Sequence, residues 1–348
     1  MVAAGPAARR RMFTALRPCL AVVVPMLALL WSGCVINLPL MPSSGDLRQQ
    51  VIRKGDRGTG KLLLIDVSGV IGMAASPSLF GTGLDLQTLI TESLDLARED
   101  DRIKAVVLRI DSPGGTVTGS DILYESLREF RKARPEVTMH ASMMGLAASG
   151  GYYVAMAAEE VSAHPTTITG SIGVIAQFPL IRSLTDRFGI EFRTIKSGAN
   201  KDMGSVFEPF TDEQRTIMQQ SIDALHDRFV EVVKAGRPKL DEEAIRALAD
   251  GRIYTSQAAL DAGLIDRIEY LPDLIERIEK KAGGKMTIVS YDPLFSPGSS
   301  VYATRSSQRA AAATRQGNGM VPGVIEMRHS FAGMPRSLEP GFHYLWIE

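Results

Sequence analysis

Cysteine is nearly absent from this chain: of 348 residues only Cys19 and Cys34 carry a thiol, and both precede position 35. A disulfide-stapled scaffold and a cysteine metal site are thereby excluded from the body of the protein. Histidine is scarce too. His140, His164, His226, His329 and His343 stand far apart, with no HExxH and no pair at ligand spacing on one helix, so no metal is expected. An excess of charge of one sign is also missing, since Lys plus Arg and Asp plus Glu each total 39. No nucleic-acid partner is implied by that balance. What is present is an apolar fraction of 45%, ample for the core of one large or two modest domains.

Residues 1–45 have the layout of an export signal: Arg9, Arg10, Arg11 and Arg17, then the apolar run Cys19 to Trp31, then Ser32-Gly33-Cys34. Two readings stay open. Ser-Gly-Cys resembles the cleavage box of bacterial lipoproteins, which would put a lipid on Cys34, although Trp31 stands where that pattern has Leu. Alternatively the uncharged stretch continues to Met41, making roughly 20 residues, long enough to span a bilayer uncleaved. Either one tethers the body at a membrane surface.

Residues 46–60 are polar and glycine-bearing and read as a linker. From Lys61 the pattern alternates. Apolar runs at 61–68, 105–110, 137–141, near Val161 and Ile172, and at 191–195 read as strands. Helical spacing recurs through Leu86 to Ala97, Ser120 to Arg134, after Ser149, and from Leu180 to Phe188. Strand, helix, strand with short connections implies parallel pairing and an α/β fold. Helical patterns dominate from Asp212 to Lys234 and Asp241 to Leu248, and apolar elements return near Ile253, Leu264 to Ile268, Leu274 to Ile278 and Met286 to Ser290. The body thus covers 61–290. The extension 291–348 is rich in Ser, Ala, Gly, Arg and Gln, which predicts a partly disordered segment, but it ends on an apolar, aromatic 342–348 suited to docking on the body or another subunit.

The most informative string is Gly145-Leu146-Ala147-Ala148-Ser149-Gly150-Gly151-Tyr152-Tyr153, which places one hydroxyl among small residues between a strand and a helix. A serine on such a turn lies open to a substrate backbone, beside free amides that favour developing negative charge. By itself it reads more readily as a helix cap. Ser112-Pro113-Gly114-Gly115 could turn a second amide, that of Gly115, toward the amide of Gly150 and form an oxyanion hole; alone it would be a tight turn. A Ser-His-Asp triad from Ser149, His140 or His164, and Asp111 is the natural rival, but neither histidine sits in a histidine motif.

Four strings in this order, Asp111-Ser112-Pro113-Gly114-Gly115, Ala148-Ser149-Gly150-Gly151-Tyr152-Tyr153, Thr169-Gly170-Ser171-Ile172-Gly173-Val174 and Lys196-Ser197-Gly198-Ala199-Asn200-Lys201-Asp202, resemble the signal peptide peptidase SppA family. The likeness covers about residues 60 to 290. It implies the spiral of β-β-α units shared with the Clp protease proteolytic subunit and crotonases. It also implies a Ser-Lys peptidase: Ser149 as nucleophile, Lys201 as general base, and Ser171 orienting the lysine. Such a lysine must be desolvated to supply a neutral amine, since an exposed one stays protonated at neutral pH. The chemistry needs no cofactor. The implied substrates are remnant signal peptides and other exported or misfolded chains, handled on the extracytoplasmic side of a bacterial envelope. The implied assembly is a ring, an octamer by resemblance, in which neighbouring protomers complete each active site. A crotonase-like acyl-CoA enzyme and a noncatalytic membrane scaffold are the alternatives within the superfamily.

Overall fold

The computed structural model describes residues 47–72, 85–292 and 300–303, and the backbone of 342–345. The expected anchor, Cys34 included, lies outside the described residues, as does most of the 291–348 extension. Among the described residues no helix is long and apolar enough to cross a membrane.

Strand β1 (Gln50–Arg53) precedes β2 (Lys61–Ser68), in which Leu62, Leu63, Leu64 and Val67 are all shut off from solvent. A strand buried on both faces gives an unbroken apolar run rather than an alternation, and such strands belong to parallel sheets covered by helices. Helix α1 (Leu86–Glu99) starts where the Asp85 carboxylate accepts the Thr88 N–H at 2.8 Å, and it buries Leu89, Ile90, Leu94 and Ala97 along one stripe. Next come β3 (Ile103–Ser112), β4 (Gly114–Thr116), α2 (Val117–Ala133), β5 (Thr138–Ala148), α3 (Gly150–Ala155), β6 (Glu160–Ala163), β7 (Ile168–Gly170) and β8 (Ile175–Ala176). After them follow α4 (Arg182–Arg187), α5 (Asp212–Gly236), α6 (Glu242–Leu248), β9 (Ile253–Thr255), α7 (Ser256–Asp261), β10 (Arg267–Ile268), α8 (Leu271–Ala282), β11 (Thr287–Ser290) and β12 (Phe342–Leu345).

Among the described residues the main sheet has nine strands in the order β1-β11-β2-β3-β5-β6-β10, with β7 beside β5 and β9 beside β7. All pairings are parallel except β1 with β11 and β7 with β9, so the fold is α/β with a parallel-rich sheet. Strand β5 is the pivot. Its residues 140–143 pair with β6, whereas Leu146, Ala147 and Ala148 pair with β7. The register of β3 against β5 shifts between Ile110 and Ser112, and an irregularity of this kind re-aims the chain where it leaves the sheet. In consequence the ends of β3, β5 and β7 converge. Below that point Arg109 on β3 and Asp66 on β2 form a buried ion pair at 2.9 Å, and Arg109 also donates to the Val301 carbonyl, tying residues 300–303 to the body.

Two segments differ from the sequence expectation. The span 46–60, read as a linker, contains β1, which pairs antiparallel with β11 and buries Ile52. A four-residue edge strand with only Val51 and Ile52 packed against the core leaves little trace in composition. The run 191–195, read as a strand, forms none: Phe192 and Ile195 are exposed and no strand pairs with them among the described residues.

Candidate active site

Ser149 joins the end of β5 to the start of α3 with no residue to spare. Its backbone lies at φ 53° and ψ −116°, and among the described non-glycine residues only Ser171 shares a positive φ. Such a conformation costs ~1–3 kcal/mol and persists only where the surroundings over-determine it. They do so here. The Ser149 N–H donates to the Gly170 carbonyl at 2.7 Å, and the Ser149 carbonyl accepts the Tyr153 N–H at 2.9 Å. Helix α3 is wholly buried, with the Tyr152 hydroxyl donating to the Leu264 carbonyl at 2.8 Å and the Tyr153 hydroxyl to Asp121 at 2.5 Å. Burial pushes the Tyr152 hydroxyl far above its ordinary range, so it remains a donor and an anchor for the turn.

A capping serine would accept a helix N–H. Ser149 makes no such bond. Its Oγ, on a residue 1% exposed, has no hydrogen-bond partner among the described residues. A strained strand-to-helix turn that holds a serine hydroxyl out of local bonding is the arrangement of a nucleophile elbow.

The flanking glycines are required by space. A Cβ on Gly150 would lie 2.4 Å from Ser120 Oγ and 3.2 Å from the Gly115 nitrogen, and one on Gly115 would lie 2.0 Å from the Ile71 carbonyl oxygen. The two amides are therefore neighbours. Across from them, β12 runs antiparallel between β4 and β8, with Tyr344 opposite Gly115 and Phe342 opposite Ala176. An extended backbone thus fits between two strand edges beside Gly115, the geometry of strand-addition peptide recognition.

Ser171 comes into the same spot because Ala148 and Gly170 are register partners of β5 and β7. Its N–H donates to the Arg252 carbonyl at 2.8 Å. The fold therefore brings together Ser149, Gly150, Gly115 and Ser171. Lys201 does not join them within one copy of the chain. It is exposed on the loop before α5, and the partnerless Ser149 Oγ shows that no amine is bonded to it. Lys196 is occupied differently: its ammonium donates to Asp202 at 2.7 Å and to the Ala199 carbonyl at 3.0 Å, and that pairing holds the Asp202 carboxyl below its usual range. Around this loop Leu180, Leu184, Phe188, Ile190, Phe192 and Ile195 present exposed apolar surface. Cys34 lies outside the described residues. Gly170 and Ile71, which fix the nucleophile and the Gly115 strand, are given no role by the sequence reading. The Thr-Gly-Ser string carried a signal for the first, and Ile71 carried none.

The histidine rival has no geometry. His140 is nine residues before Ser149 on the same extended strand, roughly 30 Å away at ~3.3 Å per residue. His164 contacts Thr166 and the edge of Tyr270 instead. His140 is buried beside Glu160, and burial pulls its imidazole below the ordinary 6.5 despite the opposing carboxylate. A depressed folded value means that the unfolded chain binds the proton first as pH falls. Stability is accordingly full above about pH 6.5 and declines as pH drops toward the folded value, so Tm is expected to fall from pH 7.5 to 5.5. The same pair of melts on His140→Gln should show a shallower fall. An equal slope in the variant would rule His140 out as the cause.

Comparison with known proteins places the chain among peptidases. The model of peptidase family S49 matches residues 131–285, and that of Clp protease matches 84–169. A putative signal peptide peptidase SppA of Enterococcus faecium is 32% identical over 250 residues, which is 71% of this chain and 71% of that one. A putative protease of Synechocystis is 38% identical over 199 residues, covering 57% of this chain and 70% of its own. The chloroplastic serine protease SPPA of Arabidopsis thaliana is 31% identical over 227 residues, 65% of this chain but only 33% of the longer relative. With the match extending over two thirds of an SppA protein, and the elbow serine inside the S49 region, the chain belongs to peptidase family S49, the serine peptidases that include SppA.

Proposed function

We propose that the protein is a membrane-tethered endopeptidase that cleaves remnant signal peptides and other exported or misfolded chains through an acyl-enzyme on Ser149. The observation that carries this reading is the Ser149 hydroxyl, buried at positive φ and spared from helix capping, in a turn whose Gly150 packs against the Gly115 nitrogen. Ser149 Oγ attacks the peptide carbonyl carbon while its proton passes to the neutral amine of Lys201. The carbonyl electron pair moves onto oxygen, where the Gly115 and Gly150 N–H groups receive it; donors of this kind contribute ~3–4 kcal/mol each. Collapse breaks the C–N bond, and the proton on Lys201 goes to the leaving amine. Water then attacks the ester, with Lys201 again taking the proton, and Ser149 is regenerated. Ser171 orients the amine.

Lys201 reaches Ser149 from a neighbouring copy. Two features support this: its exposure within one chain, and the apolar surface around its loop, which a second copy would cover. Burial there would strip water from the amine and favour its neutral form. A closed ring, an octamer, repeats that contact at every interface. The ring is held at the extracytoplasmic membrane face either by a lipid on Cys34 after cleavage before it or by the uncharged stretch 19–41 as an uncleaved helix. The slot occupied by β12 supports extended chains, rather than acyl-CoA thioesters, as substrates.

The test is a serine-directed fluorophosphonate on the detergent-solubilised protein, with apolar signal-sequence peptides as substrates. One label per chain is expected on the tryptic peptide containing Ser149, with peptide cleavage lost in proportion and acyl-CoA thioesters untouched throughout. Cleavage that survives complete labelling, or a label on another serine, would overturn the assignment.

A further inference from the structure

Ser112 ends β3, and only Pro113 separates it from β4. It is fully buried, and its hydroxyl is used in both directions: Oγ donates to the Gly69 carbonyl at 2.6 Å and accepts the Gly114 N–H at 3.1 Å. A hydroxyl in an ordinary turn bonds within its own loop. This one also crosses to the loop that follows β2. That loop is laced to the same turn by Gly69 N–H to the Asp111 carbonyl at 3.0 Å, Ile71 N–H to the Gly114 carbonyl at 2.8 Å, and Thr116 N–H to the Ile71 carbonyl at 3.0 Å.

The consequence falls on Gly115. Ile71 takes the peptide groups on either side of it, in a parallel bridge, so the Gly115 N–H must point to the opposite edge, where β12 lies. Gly114 reaches this arrangement at φ +107°, a conformation open to glycine, and its own N–H is spent inward on Ser112. Ser112 also lies beneath the elbow: a Cβ on Gly151 would meet the Ser112 carbonyl at 2.8 Å and its Cβ at 3.4 Å.

We infer that the Ser112 hydroxyl is a positioning group for the reaction, clamping the loop after β2 to the Gly114–Gly115 turn so that the Gly115 amide faces the carbonyl attacked by Ser149. The inference rests on the proposed role of Ser149 and Gly115. An alanine at 112 leaves both the Gly69 carbonyl and the Gly114 N–H without that partner and lets the turn rotate. The loss should appear where negative charge develops, with substrate binding spared.

The experiment compares Ser112→Ala, Ser112→Cys, Ser149→Ala and, as a control for a buried hydroxyl remote from the turn, Ser93→Ala, whose Oγ donates to the Leu89 carbonyl at 2.6 Å. Each purified full-length variant is assayed for kcat and KM on an apolar peptide, and for affinity toward a peptide boronate, which forms a tetrahedral adduct, and toward the product peptide. For Ser112→Ala, kcat is expected to fall about 100-fold with KM within about threefold, and boronate affinity to fall with kcat while product affinity holds. Ser112→Cys, with its weaker donor and acceptor, should fall between. Ser93→Ala should keep wild-type kcat. If Ser112→Ala does not fold, the boronate-to-product affinity ratio of Ser112→Cys decides: a ratio below wild type supports the inference and an unchanged one overturns it. Full kcat in Ser112→Ala, or equal losses of boronate and product affinity, would also overturn it. An active Ser149→Ala would instead bring down the nucleophile assignment on which it rests.

Discussion

Ser149→Ala is expected to lose peptide hydrolysis by on the order of 10⁵-fold or more while becoming the more stable protein. The loss follows from chemistry: without the hydroxyl no acyl-enzyme forms, and the residual rate is what two amides and binding can supply. The gain follows from burial. Ser149 Oγ has no partner among the described residues on a residue 1% exposed, and a buried hydroxyl left unpaired costs ~1–3 kcal/mol. Removing it should raise Tm by about 2–4 °C for each kcal/mol recovered in a body of this size. Ser149→Gly should go further, because φ 53° and ψ −116° suit glycine and relieve ~1–3 kcal/mol of strain, offset by ~0.4–1 kcal/mol of added unfolded-chain entropy. Paired melts and hydrolysis assays read both effects. A Ser149→Ala protein that melts well below wild type would show the hydroxyl to be a structural group, and the elbow reading would fail.

That trade is visible only in three dimensions, which marks how far the sequence can be read. The central strands were legible because burial on both faces leaves continuous runs such as Leu62-Leu63-Leu64, and α1 because Leu89, Ile90, Leu94 and Ala97 keep helical spacing. The company of Ser149 was legible as motifs in order. Its conformation was not, because a serine before two glycines fits a cap as well as an elbow, and the choice is made by the Gly170 carbonyl drawing in the Ser149 N–H from a strand more than twenty residues away. Sequence pattern failed outright at 191–195, where Phe192 and Ile195 stay exposed and join no strand among the described residues, and at β1, where only Val51 and Ile52 are apolar in a four-residue edge strand. Both failures concern segments outside the central strands. There, what a residue contacts depends on elements distant in sequence or on another molecule.

Lys201→Ala is expected to match Ser149→Ala in the depth of its loss, because a nucleophile and its base act as one unit and removing either disables both. Lys201→Arg should not rescue it, since a guanidinium stays protonated and cannot accept the serine proton. Lys196→Ala, by contrast, should keep activity within about tenfold: its ammonium is tied to Asp202 and the Ala199 carbonyl, and a partly exposed pair of this kind contributes little. The origin of the amine is settled by mixing. Ser149→Ala and Lys201→Ala chains, each inactive alone, are combined under dissociating conditions and reassembled. If Lys201 acts on the Ser149 of a neighbouring copy around a head-to-tail ring, half of the serine positions are filled, and half of those face an intact lysine, so about a quarter of wild-type activity returns. If each chain supplied its own lysine, no site in the mixture would hold both groups and activity would stay at the level of the single variants. Restored activity would also account for two features of the single chain: Lys201 standing in solvent, and six large apolar side chains exposed on the preceding segment.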